Sequence, residues 1–149
     1  MTTALKNDLL MADSIHVAVG VIVNDRDEVL VAYRSENKDQ GGLWEFPGGK
    51  KEKDETIELA LEREFLEEIG IKLESYSPML KIKHDYKEYS VILDVWMITE
   101  YSKIPVGAEG QTVEWRKVQS LNFKDFPEAN KKIIRLLKSH GAYRNSRTS

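Results

Sequence analysis

The chain has 149 residues, 41% of them hydrophobic, which is the size of one ordinary domain with one sizeable core. Its net charge of −3 offers no basic excess for a duplex-binding surface, and the absence of cysteine excludes disulfides, a thiol nucleophile and a cysteine-based zinc site. No apolar run reaches the roughly 20 residues of a membrane-spanning helix, and the N-terminus lacks the basic-then-apolar order of a signal peptide. A cytoplasmic protein without a membrane partner is expected.

Residues 1–13 carry no clear period and are expected to form a loose leader to a domain spanning 14–140. IHVAVGVIV at 15–23 is rich in β-branched residues and predicts a buried strand; NDRD turns the chain into a second strand over 28–33, as a hairpin or near-neighbour pair. Gly20 inside the first strand predicts either a bulge, a close backbone approach or an ordinary sheet glycine. After the polar loop SENKDQGG, LWEF reads as a short strand leading into Pro47-Gly48-Gly49-Lys50, whose Pro-Gly pair is type II turn chemistry.

The next stretch, DETIELALEREFLEEIG, predicts an amphipathic helix of about four turns, capped by Thr56 and stopped by Gly70. Ile57, Ala60, Leu61, Phe65 and Ile69 form its apolar stripe. Glu64 and Glu68 fall on the same stripe and Glu67 stands beside them. Like charges at these spacings cost roughly a few tenths of a kcal/mol per pair, and more where solvent is partly excluded, so a positive partner is expected. Arg63 pairing with Glu67 on a solvated face is one account of the cluster. Three oxygen donors on two turns, following a glycine turn, also suit a hard divalent cation such as Mg²⁺.

Strands are predicted near 79–85 and 89–99, a Pro- and Gly-containing loop over 103–111, and a strand over 112–118. Asp125-Phe126-Pro127-Glu128 is expected to open a second helix with Ala129, Ile133, Ile134 and Leu137 on its buried side, and the polar segment 141–149 reads as a flexible tail. Strands mixed with two good helices predict an α/β layered domain. Asn130 heads the apolar face of that second helix, where an amide looks for partners. His16, His84 and His140 show no metal-ligand spacing.

Gly49, Glu55, Arg63, Glu64, Phe65, Glu67, Glu68, Gly70 and Ile71 fit the pattern G-x5-E-x7-R-E-U-x-E-E-x-G-U, with U a bulky apolar residue. On these residues the chain resembles the Nudix hydrolases. The resemblance implies an α/β/α sandwich with a mixed central sheet, and hydrolysis of a nucleoside diphosphate linked to another moiety with Mg²⁺ or Mn²⁺. It further implies that Glu64, Glu67 and Glu68 hold the metal with the carbonyl of Gly48 and with Glu109, and that Glu64 or Glu109 is the general base. Arg63 would orient Glu64, and Glu55 would support Arg63, with Gly49 and Gly70 in structural roles.

EFPGGK at 45–50, EGQ at 109–111, EW at 114–115 and DFPEAN ending at Asn130 are similar to family members that act on 8-oxo-dGTP. That likeness implies a base-reading Asn130, phosphate contacts from Arg34 and Lys50, and a small nucleotide as substrate. In 8-oxoguanine N7 carries a hydrogen, so an Asn that accepts there and donates to O6 distinguishes it from guanine. Trp44 and Tyr89 are further candidates to flank the base. The run DQGGLWEFPGG at 39–49 instead resembles family members that hydrolyse CTP or 5-methyl-dCTP, and a binding module without catalysis is the third expectation.

Overall fold

The computed structural model describes residues 14–35 and 41–148; the expected leader lies outside them. The elements are β1 (Ser14–Val21), β2 (Glu28–Tyr33), β3 (Trp44–Glu45), β4 (Gly48–Lys50), α1 (Ile57–Ile69), β5 (Lys72–Asp85), β6 (Ser90–Ser102), β7 (Val113–Lys117) and α2 (Lys131–Thr148), with three short 3₁₀ turns between β7 and α2. They build one mixed sheet in the order β4-β1-β6-β5, where β1 and β6 run parallel, and a second antiparallel sheet in the order β3-β2-β7. This is the expected α/β sandwich with a mixed sheet.

Strand alternation distributes the core between the two helices. Ala18 of β1, Leu30 of β2, and Trp96 and Ile98 of β6 pack with Ala60, Leu61, Phe65 and Ile69 of α1. Val19 and Val21, Val29 and Val31, and Leu93 and Val95 face the other way, onto Ile133, Ile134 and Leu137 of α2. Each of these larger side chains contributes roughly 1.5–3 kcal/mol when fully buried. The anticipated pairing of β1 with β2 is confined to their adjoining ends, where Val23 bridges Val29 and the Leu30 N–H donates to the Ile22 carbonyl. The bodies of the two strands lie in different sheets.

Three expectations are corrected. Gly48–Lys50 is not a turn: it is a strand antiparallel to β1, and Gly48 adopts φ 155°, where a Cβ would lie 1.9 Å from the Ala18 carbonyl oxygen. The Pro-Gly pair therefore serves close strand approach. β5 and β6 are longer than predicted, because register shifts near Leu73, Ser75 and Pro78 break the alternation that marks a strand; Pro78 is tolerated on an edge strand. The second helix starts at Lys131, not at Asp125. Asn122 caps a 3₁₀ turn over Phe123–Asp125, Pro127 restarts the chain, and Glu128–Asn130 forms another 3₁₀ turn. Asn130 accordingly sits in a short turn ahead of the helix. The backbone of α2 continues helical to Thr148, past His140 where the pattern lapses.

Gly20 is a close approach. A Cβ there would meet the Phe65 ring at 2.4 Å and Ile98 Cδ1 at 2.5 Å, both fully enclosed in the α1 core. Gly20→Ala is expected to lower the unfolding free energy by about 1–3 kcal/mol, measured by urea denaturation, as overpacking of a dense core does; an unchanged midpoint would remove the close-approach account.

Candidate active site

Helix α1 is built as the sequence predicts. The Thr56 hydroxyl accepts the Leu59 N–H at 3.1 Å, and Gly70 closes the other end at φ 74°. This frame sets the azimuth of every acid on the helix. Arg63 is held from several sides: its Nε and Nη2 donate to Glu55 at 3.0 and 2.6 Å, Nη2 also donates to the Lys50 carbonyl at 3.0 Å, and Nη1 reaches Glu64 at 2.8 Å and Glu67 at 3.4 Å. The guanidinium holds the Glu55 carboxyl down at about 2, and its own pKa is raised by Glu55 and Glu64. Gly49 of β4 lies against the Glu64 carboxylate, where a Cβ would stand 2.3 Å from its carbon. A strand on one side and an arginine on the other thus fix Glu64.

Glu64 and Glu68 line a cavity of about 750 Å³ with Glu45, Glu109, Gly48, Arg34 and Gln111. Burial, together with the charges of Glu45, Glu64 and Glu109, pushes the Glu68 carboxyl up to about 8. The carboxylates converge on one volume but repel: among the described residues no group of three His, Asp or Glu is closed to metal-ligand spacing. Glu67, expected with the ligands, is not among the cavity's lining residues; its side chain is 53% exposed and paired to Arg63.

A second cavity of about 490 Å³ adjoins the first, with Arg34, Glu45 and Gly48 in the walls of both. Its lining is largely apolar, including Val17, Val19, Phe46 and Leu93, and it carries Asn130, Lys50, Tyr86 and Tyr89. Asn130 is 9% exposed, one of two buried polar residues among those described. The 3₁₀ turn that displaces it from the helix presents it to this cavity. Arg34 pairs with Glu45 at 3.6 Å at the junction. Lys50 borders the second cavity and a hollow beyond it that also carries Lys51 and Lys53, and is not among the lining residues of the first. Trp44, a candidate to flank a base, instead packs edge-on to Tyr33 at 5.2 Å and lies under the Arg116 guanidinium.

Two residues of the first cavity escape sequence reasoning. Glu45 had one signal, an acid between Trp44 and Phe46 in an otherwise apolar run. Gln111 stood in the EGQ run without a role, because the partner that gives it one, the Glu68 carbonyl, lies far away in the chain; its side-chain N–H donates to that carbonyl at 2.8 Å and its oxygen accepts the Glu109 N–H at 3.0 Å. No helix among the described residues is long and apolar enough to cross a membrane.

Comparison with known proteins agrees with this arrangement. The family model for the NUDIX domain matches residues 18–136. The chain is 36% identical over 124 residues to the 8-oxo-dGTP diphosphatase of Escherichia coli K12, covering 83% of this chain and 96% of that one. It is also 33% identical over 97 residues to the CTP pyrophosphohydrolase of the same organism, covering 65% and 72%. A solved structure of MutT, from a study of the Aliivibrio salmonicida and Vibrio cholerae proteins, superposes with a TM-score of 0.74 at 35% identity, covering 85% of this chain and 98% of that one. With the glutamate-bearing helix, its arginine and the sandwich that carries them in the arrangement the motif calls for, the chain belongs to the Nudix family of hydrolases.

Proposed function

We propose that the chain is a metal-dependent nucleoside triphosphate pyrophosphohydrolase that converts 8-oxo-dGTP to 8-oxo-dGMP and pyrophosphate. The observation that carries this is the wall shared by the two cavities. An acidic chamber continues into an apolar one bearing a buried amide, with Arg34, Glu45 and Gly48 at the junction. A nucleotide has the same division, with a charged chain at one end and a flat base with polar edges at the other. The likeness to the 8-oxo-dGTP diphosphatase of E. coli supports the same assignment. Its substrate pool is the free nucleotides of the cytoplasm, and hydrolysis of the oxidised triphosphate keeps it out of replication.

The donor set fits a hard divalent cation, Mg²⁺ or Mn²⁺. Glu45, Glu64, Glu68 and Glu109 offer oxygen alone, and the Glu68 carboxyl is raised first by burial and then by the charges of Glu45, Glu64 and Glu109 around it. Glu64, Glu68 and Glu109 with the Gly48 carbonyl would hold it, and Glu67, paired with Arg63, would complete the set. When bound, the ion offsets charge on the phosphate oxygens and acidifies water. Arg63 keeps Glu64 aimed into the cavity, and Glu55 keeps Arg63 in place. Glu64 or Glu109 takes the proton of the attacking water. Arg34 exchanges Glu45 for a substrate phosphate, and Lys50 adds positive charge beside the base cavity. Asn130 accepts from N7–H and donates to O6, a pair of bonds that unmodified guanine cannot complete.

The CTP pyrophosphohydrolase relative supports a second substrate class, the cytosine nucleotides. Pyrophosphate release with Mg²⁺ from 8-oxo-dGTP, dGTP, CTP and 5-methyl-dCTP at one low concentration separates the two. A preference for 8-oxo-dGTP over dGTP is expected; a preference for the cytosine nucleotides would transfer the assignment to them. Asn130→Ala is expected to lower kcat/KM for 8-oxo-dGTP by about tenfold or more while changing that for dGTP less; equal losses would remove Asn130 as the reader.

Glu64→Gln is expected to cut turnover by about a hundredfold or more with nucleotide binding retained. Undiminished turnover would discard the helix acids as the catalytic set, and a parent protein that binds nucleotide without turnover would be a binding module. The folded Glu68 carboxyl titrates at about 8, above its ordinary 4.5, so the folded state holds a proton that the unfolded state gives up between those values. Stability contributed by that proton is full below about pH 4.5 and lost as pH rises through about 8 in metal-free protein. Mg²⁺ is therefore expected to raise Tm more at about pH 8.5 than at about pH 6, and an equal rise at both would contradict the shift.

A further inference from the structure

The loop between β6 and β7 is tied to the end of α1 through acceptors that the helix leaves open. The Val106 N–H donates to the Ile69 carbonyl at 2.9 Å and the Ala108 N–H to the Glu68 carbonyl at 2.9 Å, both within the last turn, where helix carbonyls lack intrahelical partners. The Glu68 carbonyl takes a second bond from Gln111 Nε2 at 2.8 Å, and Gln111 Oε1 accepts the Glu109 N–H at 3.0 Å. A carbonyl can only accept and an N–H can only donate, so these partners fix which way the amide points. The loop cannot drift off this bridge freely: Gly110 N–H closes a tight turn on the Gly107 carbonyl at 3.0 Å, and a Cβ on Gly107 would lie 1.8 Å from the Gln111 carbonyl oxygen. At its far end the Thr112 carbonyl accepts the Tyr33 N–H at 2.9 Å, next to Arg34.

One side-chain amide therefore joins the backbones of two acids that line the acidic cavity. We propose that Gln111 is a positioning residue for this site: its amide sets how far Glu109 stands from Glu68, and so presents Glu109 to the cation. The assignment rests on the cavity being the metal-binding centre proposed above. Glu109 sits at the exposed crest of its turn, on a loop whose carboxylate is repelled by Glu68. A bridge that acts on backbone rather than on carboxylate oxygens restrains the loop and leaves those oxygens free to bind.

Two variants test it in the full chain. Gln111→Met keeps the length of the side chain without either hydrogen bond, and Gln111→Glu keeps the acceptor but loses the donor to the Glu68 carbonyl. Mn²⁺ titration followed by electron paramagnetic resonance of the free ion is expected to show affinity weakened about tenfold in Gln111→Met. Amide exchange at Glu109 should quicken while nucleotide KM stays near the parent value and kcat falls. Gln111→Glu separates positioning from charge, since an added carboxylate acting by charge alone would tighten Mn²⁺, whereas loss of positioning weakens it. Parent-like Mn²⁺ affinity in Gln111→Met, or a fall in Tm with affinity intact, would overturn the proposal. The Mn²⁺ and exchange readouts need no substrate, so a parent that hydrolyses no nucleotide would defeat the proposed function and still leave Gln111 decided.

Discussion

The Arg63 guanidinium is the interaction on which the rest of the site depends. A helix that places Glu64, Glu67 and Glu68 within five residues is electrostatically unfavourable unless a cation lies among them, and Arg63 supplies one from the same helix. What makes it more than a surface ion pair is the third and fourth partners. Glu55, from the loop ahead of the helix, and the Lys50 carbonyl, from β4, hold the planar fork in one orientation. Because Glu55 also accepts the Glu52 N–H, the arginine is braced against a loop that is itself folded by the same carboxylate.

Backbone proximity completes what the arginine begins. Gly48 and Gly49 let β4 run hard against β1 on one side and the Glu64 carboxylate on the other, and Gly20 lets the Phe65 ring sink onto β1. The helix is thereby seated from below by a ring in a glycine notch and from the side by a strand that opens with two glycines. Seating of this kind leaves little room for a one-residue slip, so Glu64 and Glu68 face the cavity and not solvent.

Much of this was legible in the sequence because it is local. Thr56, the apolar stripe and Gly70 bound α1 through capping and period, which operate within a few residues. Gly20 had signalled its place by interrupting a β-branched run, and Asn130 by heading an apolar face. The failures share the opposite character. Pro47-Gly48 looks like turn chemistry, but the neighbour that demands glycine is Ala18, reached only through sheet pairing. The start of β5 is hidden because bulges shift the alternation, and the second helix was placed early because capping signals at Asp125 do not reveal that Pro127 restarts the backbone. Glu45 and Gln111 are members of the site through Arg34 and the Glu68 carbonyl, partners that no spacing rule connects to them. Glu67, which the helical period set beside the stripe, makes the pair with Arg63 that its i,i+4 spacing allowed.

The junction of Arg34, Glu45 and Gly48 divides one continuous cleft into chambers of opposite character. In a cleft of this form, the intact ligand is held because its two ends are tethered to each other, each raising the local concentration of the other at its own chamber. Cutting the ligand between the chambers abolishes that tether. Under the proposed function the fragments are a nucleoside monophosphate and pyrophosphate, each then held by its own contacts alone, so the bond that is hydrolysed is also the one that kept the ligand in the cleft.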